Sequence, residues 1–102
     1  MIDGLEARLA ELAAQNQTTT YGELARDLNL TGPATIARLT TALEALMDQD
    51  AAANRPLRAA LVTARNSPLP ASGFFQKAAV LGYDVTDPAA LAAQHRVALS
   101  VR

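Results

Sequence analysis

A mainly α fold is predicted, a small winged-helix-like domain over residues 1–102 with a helix-turn-helix pair, one short β element and two C-terminal helices. Three observations predict it. Thr20 and Glu23, in "TYGE", form a capping-box pattern, in which the Thr hydroxyl accepts a backbone N–H and the Glu side chain returns to the cap. Gly32 and Pro33 then break the chain and restart it, because proline suits a first helical turn. Beyond that break Ile36, Leu39, Leu43 and Leu46 recur with helical period. A short helix, a tight break and a second amphipathic helix make the pair.

The first helix precedes this pair. Ile2, Leu5, Leu9 and Leu12 recur every three or four residues, with Glu6, Arg8 and Glu11 between them, and the pattern ends near Gln15 and Asn16. "QNQTTT" reads as a polar loop. The second helix carries Tyr21, Leu24, Ala25 and Leu28 on one face until Asn29 to Pro33 break it. Thr31 or Gly32 caps the third helix, which runs to about Asp50 or on through the alanines to Ala53.

Pro56 bars further helix, and "LRAALVTA" is an apolar run of strand length, which predicts a β element at residues 58–64. One strand cannot satisfy its own backbone, so its partner is Leu69 with its neighbours, a pair near Leu57, or the edge of another molecule. "RNSPLP" is turn chemistry. Ser72 is the expected N-cap of a fourth helix lined by Phe74, Ala78 and Leu81 and stopped by Gly82. Asp87 and Pro88 open a fifth, in which Leu91, His95 and Leu99 share a face.

Composition excludes several functions. Nine basic and ten acidic residues give a formal charge of -1, so no global field attracts a polyanion and DNA binding needs a local basic face. Cysteine is absent, which removes disulfides, thiol nucleophiles and thiolate metal sites and suits a reducing cytoplasm, the expected location. Asp3, Glu6 and Glu11 do not suit a signal peptide, and no apolar run is long enough for a membrane span.

"TTTYGELARDLNLTG" resembles the start of the DNA-binding domain of the alkylguanine-DNA alkyltransferases and their alkyltransferase-like relatives, through Tyr21, Gly22, Leu24 and Ala25. The resemblance implies a winged helix-turn-helix, with Tyr21 near the DNA backbone. Arg38, in "IARLTTALEAL", resembles the recognition-helix arginine at a spacing about one position off, and "LVTARNSPLPASGFF" resembles the strand, turn and wing in outline. The family's proline-cysteine-histidine-arginine signature is absent, with Pro56-Leu57-Arg58 nearest to it. Alkyl transfer needs a thiolate acceptor, so the resemblance implies no enzyme.

Other chemistries have little to stand on. His95 is the only histidine and sits on an apolar face, which suits packing; one His and no Cys make a poor zinc site and no Ser–His–Asp set. Asp48 and Asp50 do not face each other on a helix, and they read as a solvated helix end. Neither catalysis, a cofactor nor a metal is therefore expected. The basic residues are more informative. Tyr21, Arg38, Arg58 and Arg65 are expected to meet the phosphates of duplex DNA, with Arg26 and Arg55 as possible additions. The alternative is a protein-interaction or assembly domain that takes a protein partner or a second copy on an apolar surface at Leu69, Phe74 and Phe75. An exposed aromatic beside "PLPAS" favours a protein; an arginine patch without one favours DNA.

Overall fold

The computed structural model describes residues 2–100. In chain order they form α1 (Leu5–Ala14), β1 (Thr19–Thr20), α2 (Tyr21–Asp27), α3 (Thr35–Ala52), a 3₁₀ turn (Arg58–Leu61), β2 (Val62–Thr63), α4 (Ser72–Val80) and α5 (Pro88–Ser100). The described chain is mainly helical, with one small parallel sheet of two strands. Leucines spaced for helical faces supply much of the core: Leu5, Leu9 and Leu12 from α1, Leu24 from α2, and Leu39, Leu43 and Leu46 from α3. Leu57, Val62, Phe74, Ala78 and Leu91 close it in a single cluster.

The helix ends follow from a few residues. The capping box on α2 is formed: Glu23 N donates to Thr20 Oγ1 at 3.2 Å, and Thr20 N donates to Glu23 Oε1 at 3.3 Å. Asn16, Asn29, Asn54 and Gly82 follow the C-caps of α1, α2, α3 and α4 in left-handed conformation, with φ of 56, 57, 56 and 98°. The next residue in each case donates to a carbonyl five positions back: Gln17 to Leu12, Leu30 to Ala25, Arg55 to Asp50 and Tyr83 to Ala78. This Schellman closure satisfies carbonyls that the helix leaves open. At the start of α5, Asp87 Oδ1 accepts from Ala90 N at 3.2 Å.

Two caps differ from expectation. Neither Thr31 nor Gly32 caps α3: Ala34 holds that place with φ 59° and no side-chain bond, while Thr35 Oγ1 donates back to Gly32 O at 2.7 Å. Ala71, not Ser72, is the N-cap of α4.

The β element also differs. Only Val62 and Thr63 of the expected 58–64 are strand, because the chain before them is bent by hydrogen bonds a strand would not make. Arg58 N donates to Asp50 Oδ2 at 3.0 Å, and Ala60 N donates to Leu57 O at 3.1 Å, which winds Arg58–Leu61 into the 3₁₀ turn. The partner strand is neither Leu69 nor a pair near Leu57. It is β1, inside the tract that read as loop, parallel and in the register Thr19↔Val62 and Thr20↔Thr63. Thr63 Oγ1 adds a bond to Thr19 O at 3.3 Å. Leu69 O accepts from Ala64 N at 2.9 Å, which closes the proline-rich turn.

Candidate nucleic-acid interface

The turn after β2 comes back against the start of α2 and the first turn of α3. Between them lies a concavity of about 650 Å³, whose walls include Tyr21, Arg26, Ile36, Ala64, Arg65 and Ala71. The sheet fixes its geometry, because β1 runs directly into α2 and β2 directly into the turn that carries Arg65. Glu23 also lines it, but its carboxylate is occupied by the backbone N–H and hydroxyl of Thr20. Tyr21 is half-buried. Burial pushes its hydroxyl above the ordinary tyrosine value, a hydrogen bond from the Ala71 backbone opposes this, and the negative charge of Glu44 adds to the rise. The phenol therefore stays protonated at neutral pH and remains a donor.

The arginines separate into two groups. Arg26 and Arg65 are exposed and make no ion pair among the described residues. Arg38 is exposed on α3, where Nη1 donates to Thr31 O at 3.2 Å, and it too has no carboxylate partner among them. It lines a second hollow of about 510 Å³ with Ile2, Ala37, Thr41, Ala42 and Ala45. Ile36 and Arg38 thus flank the exposed ridge of Ala37 and Thr41, one on each side, because successive helix residues turn by about 100°.

Arg58 is not brought to this rim. Its Nη1 lies 2.8 Å from Glu6 Oε1 and its Nη2 2.9 Å from Asp50 Oδ1, at the far end of α3. Burial by itself would lower its pKa, but the hydrogen bonds to Asp50 and Glu6 outweigh that and raise it. Arg55 Nε also approaches Asp50 Oδ1, at 3.3 Å. Asp50 is consequently not a solvated helix end. It is 0% exposed, and the 3₁₀ turn folds over it. A signal for this was present: Leu39, Leu43, Leu46 and Asp50 continue one helical stripe.

The residues of the apolar alternative lie inward. Phe74 is buried, and Phe75 is half-buried with its ring edge-on to Phe74 at 5.1 Å. Leu69 is half-buried in the turn. No aromatic is exposed beside "PLPAS". His95 packs as its apolar face suggested, and its Nδ1 accepts from Leu57 N at 2.8 Å, a contact no local pattern indicates. No helix among the described residues is long and apolar enough to cross a membrane. Neither a family model, nor a curated protein, nor a solved structure matches the chain.

Proposed function

We propose that this is a non-enzymatic DNA-binding or regulatory domain of the winged-helix type, which meets the phosphates of duplex DNA through Tyr21, Arg26, Arg38 and Arg65. One observation carries the reading. Among the described residues Arg8, Arg55, Arg58 and Lys77 each pair with a carboxylate, whereas the three exposed arginines there without one, Arg26, Arg38 and Arg65, border the N-terminal half of α3. The order of elements supports the winged type: helix, strand, two helices across a Gly-Pro break, then strand and turn. In this reading Arg38 and the small residues Ala37 and Thr41 lie against the groove, and Arg26 and Arg65 grip one backbone by charge-assisted hydrogen bonds. Arg58 leaves the binding set, since its charge is already matched within the fold. An assembly surface around Leu69, Phe74 and Phe75 is the weaker reading, because the two rings pack edge to face against each other at the core.

Fluorescence anisotropy with a labelled duplex at low salt tests the proposal. The Arg26→Ala/Arg65→Ala protein loses two charge-assisted contacts, and since one such contact is worth roughly 1.5 kcal/mol or more, its affinity is expected to fall by at least about tenfold. Equal binding by both proteins removes this face. An absence of binding by the wild type at low salt overturns the DNA reading and transfers the case to a protein partner.

A further inference from the structure

Helix α5 packs against α1 and the 3₁₀ turn, and its buried side chains are Leu91 and Ala92. Two adjacent side chains add polar ties to the segment it covers. Leu57 N donates to His95 Nδ1 at 2.8 Å, and Arg96 Nε donates to Ala60 O at 2.8 Å. α5 is therefore the acceptor in one tie and the donor in the other. A ring nitrogen accepts a hydrogen bond only while it carries no proton, so the bond from Leu57 holds His95 in its neutral form with the proton on Nε2. Nε2 has no hydrogen-bond partner among the described residues and is not sealed from solvent. The ring edges a shallow cleft shared with Asn54, Arg55, Pro56, Tyr83 and Gln94, through which water reaches it.

A proton added at Nδ1 would face the N–H of Leu57 with another N–H. Both would then be donors without an acceptor, and the contact must open. We propose that the Leu57–His95 hydrogen bond is a proton-sensitive latch, whose opening frees α5 from α1 and the 3₁₀ turn while the rest of the core stays folded. Release uncovers Leu57 and Ala60, both 0% exposed, and Leu61 beside them, an apolar surface the closed protein hides.

The charged and titratable groups around the ring leave the latch closed at neutral pH. From α3, Asp50 attracts a proton to His95, but Arg55 and Arg58 from the following segment already neutralise that carboxylate. Glu6, from α1, is taken up by Arg58. The phenol ring of Tyr83 lies edge-on to the imidazole at 5.3 Å. On α5 itself the neighbour is Arg96, a cation whose Nη2 is buried without a hydrogen-bond partner among the described residues. Burial of the ring lowers its pKa, with Asp50 opposing, so the folded protein takes up this proton at lower pH than the unfolded chain does. The latch is fully effective above the unfolded value of 6.5 and weakens as pH falls from there towards the folded value.

Amide hydrogen exchange, expressed as protection factors between about pH 7.5 and about pH 5, reads the opening directly. Protection in α5, over residues 91–96, is expected to fall by up to about tenfold per pH unit, while α3, over residues 39–47, keeps its protection. In His95→Asn the amide oxygen stands in for Nδ1 as acceptor and does not titrate, so the α5 profile becomes flat. Loss of protection in α5 and α3 together overturns the proposal, as does a flat wild-type profile or an unchanged fall in His95→Asn. If that variant does not fold, the wild-type ring decides the matter: nitrogen shifts of His95 that titrate with no change in α5 exchange refute the latch, and a shared midpoint upholds it.

Discussion

At Asp50 a carboxylate sits in the core with no exposure, surrounded by the backbone N–H, Nε and Nη2 of Arg58 and by Nε of Arg55. Desolvating such a charge costs several kcal/mol, which the hydrogen bonds from the backbone N–H and Nε of Arg58, together with the ion pairs to both guanidinium groups, offset. The cost of breaking the cluster is therefore larger than its net contribution. Asp50→Ala, which leaves the partly buried Arg58 guanidinium with only the exposed Glu6 as partner, is expected to destabilise the protein by about 3 kcal/mol in urea unfolding. The double variant Asp50→Ala/Arg58→Met removes both charges and is expected to be more stable than Asp50→Ala alone. A double variant no more stable than that single would show that the charges do not act as a pair. Sequence made the position of Asp50 legible through its spacing from Leu46, but its neighbour Asp48 drew both residues into one solvated reading. The partners could not be read at all: Glu6 and Arg58 are 52 positions apart, and nothing local marks their meeting.

Helix ends made by a side-chain cap or a glycine were the most legible, because that chemistry is local, whereas the caps at Ala34 and Ala71 use no side chain and left no signal. Thr20 with Glu23 starts α2, and Gly82 stops α4, as their residue types require. Asn54 holds the same left-handed place after α3, with φ 56°. A left-handed residue with a Cβ costs about 1–2 kcal/mol, less for asparagine, and nothing for glycine. Asn54→Ala is thus expected to lower stability by about 1 kcal/mol, whereas Asn54→Gly stays within about 0.5 kcal/mol of wild type. Thermal unfolding of the pair checks this, and an equal loss in both would refute the conformational argument. Thr20→Ala, which removes the cap of α2, should cost about 1 kcal/mol on the same measurement. The strands were illegible for the opposite reason. β1 and β2 have two residues each, too few for an alternating pattern, and their parallel pairing joins Thr19 to Val62 across two intervening helices.

Over the whole molecule nearly balanced charge gives no long-range attraction to DNA, so the proposed binding rests on where the unmatched cations lie. Sequence predicted five helices in this order, and the described residues contain them, but it could not separate matched from unmatched arginines, because pairing is a tertiary property. α3, with 18 residues, is about 27 Å long. The Asp50 cluster occupies its C-terminal end, and Arg26, Arg38 and Arg65 border its N-terminal half. If those three arginines each neutralise one phosphate, the logarithm of the binding constant should fall with the logarithm of salt at a slope of roughly -2.7. Arg26→Ala should reduce this to roughly -1.8. Ala37→Lys adds a cation on the exposed ridge beside Arg38, and it should steepen the slope to roughly -3.6 while tightening binding at every salt concentration. Lys77→Ala removes a cation already matched by Asp48, so it should leave the slope of the wild type. A slope that follows net charge alone, with Arg26→Ala and Lys77→Ala equivalent, would mean that DNA meets the molecule as a whole and not at the rim around α3.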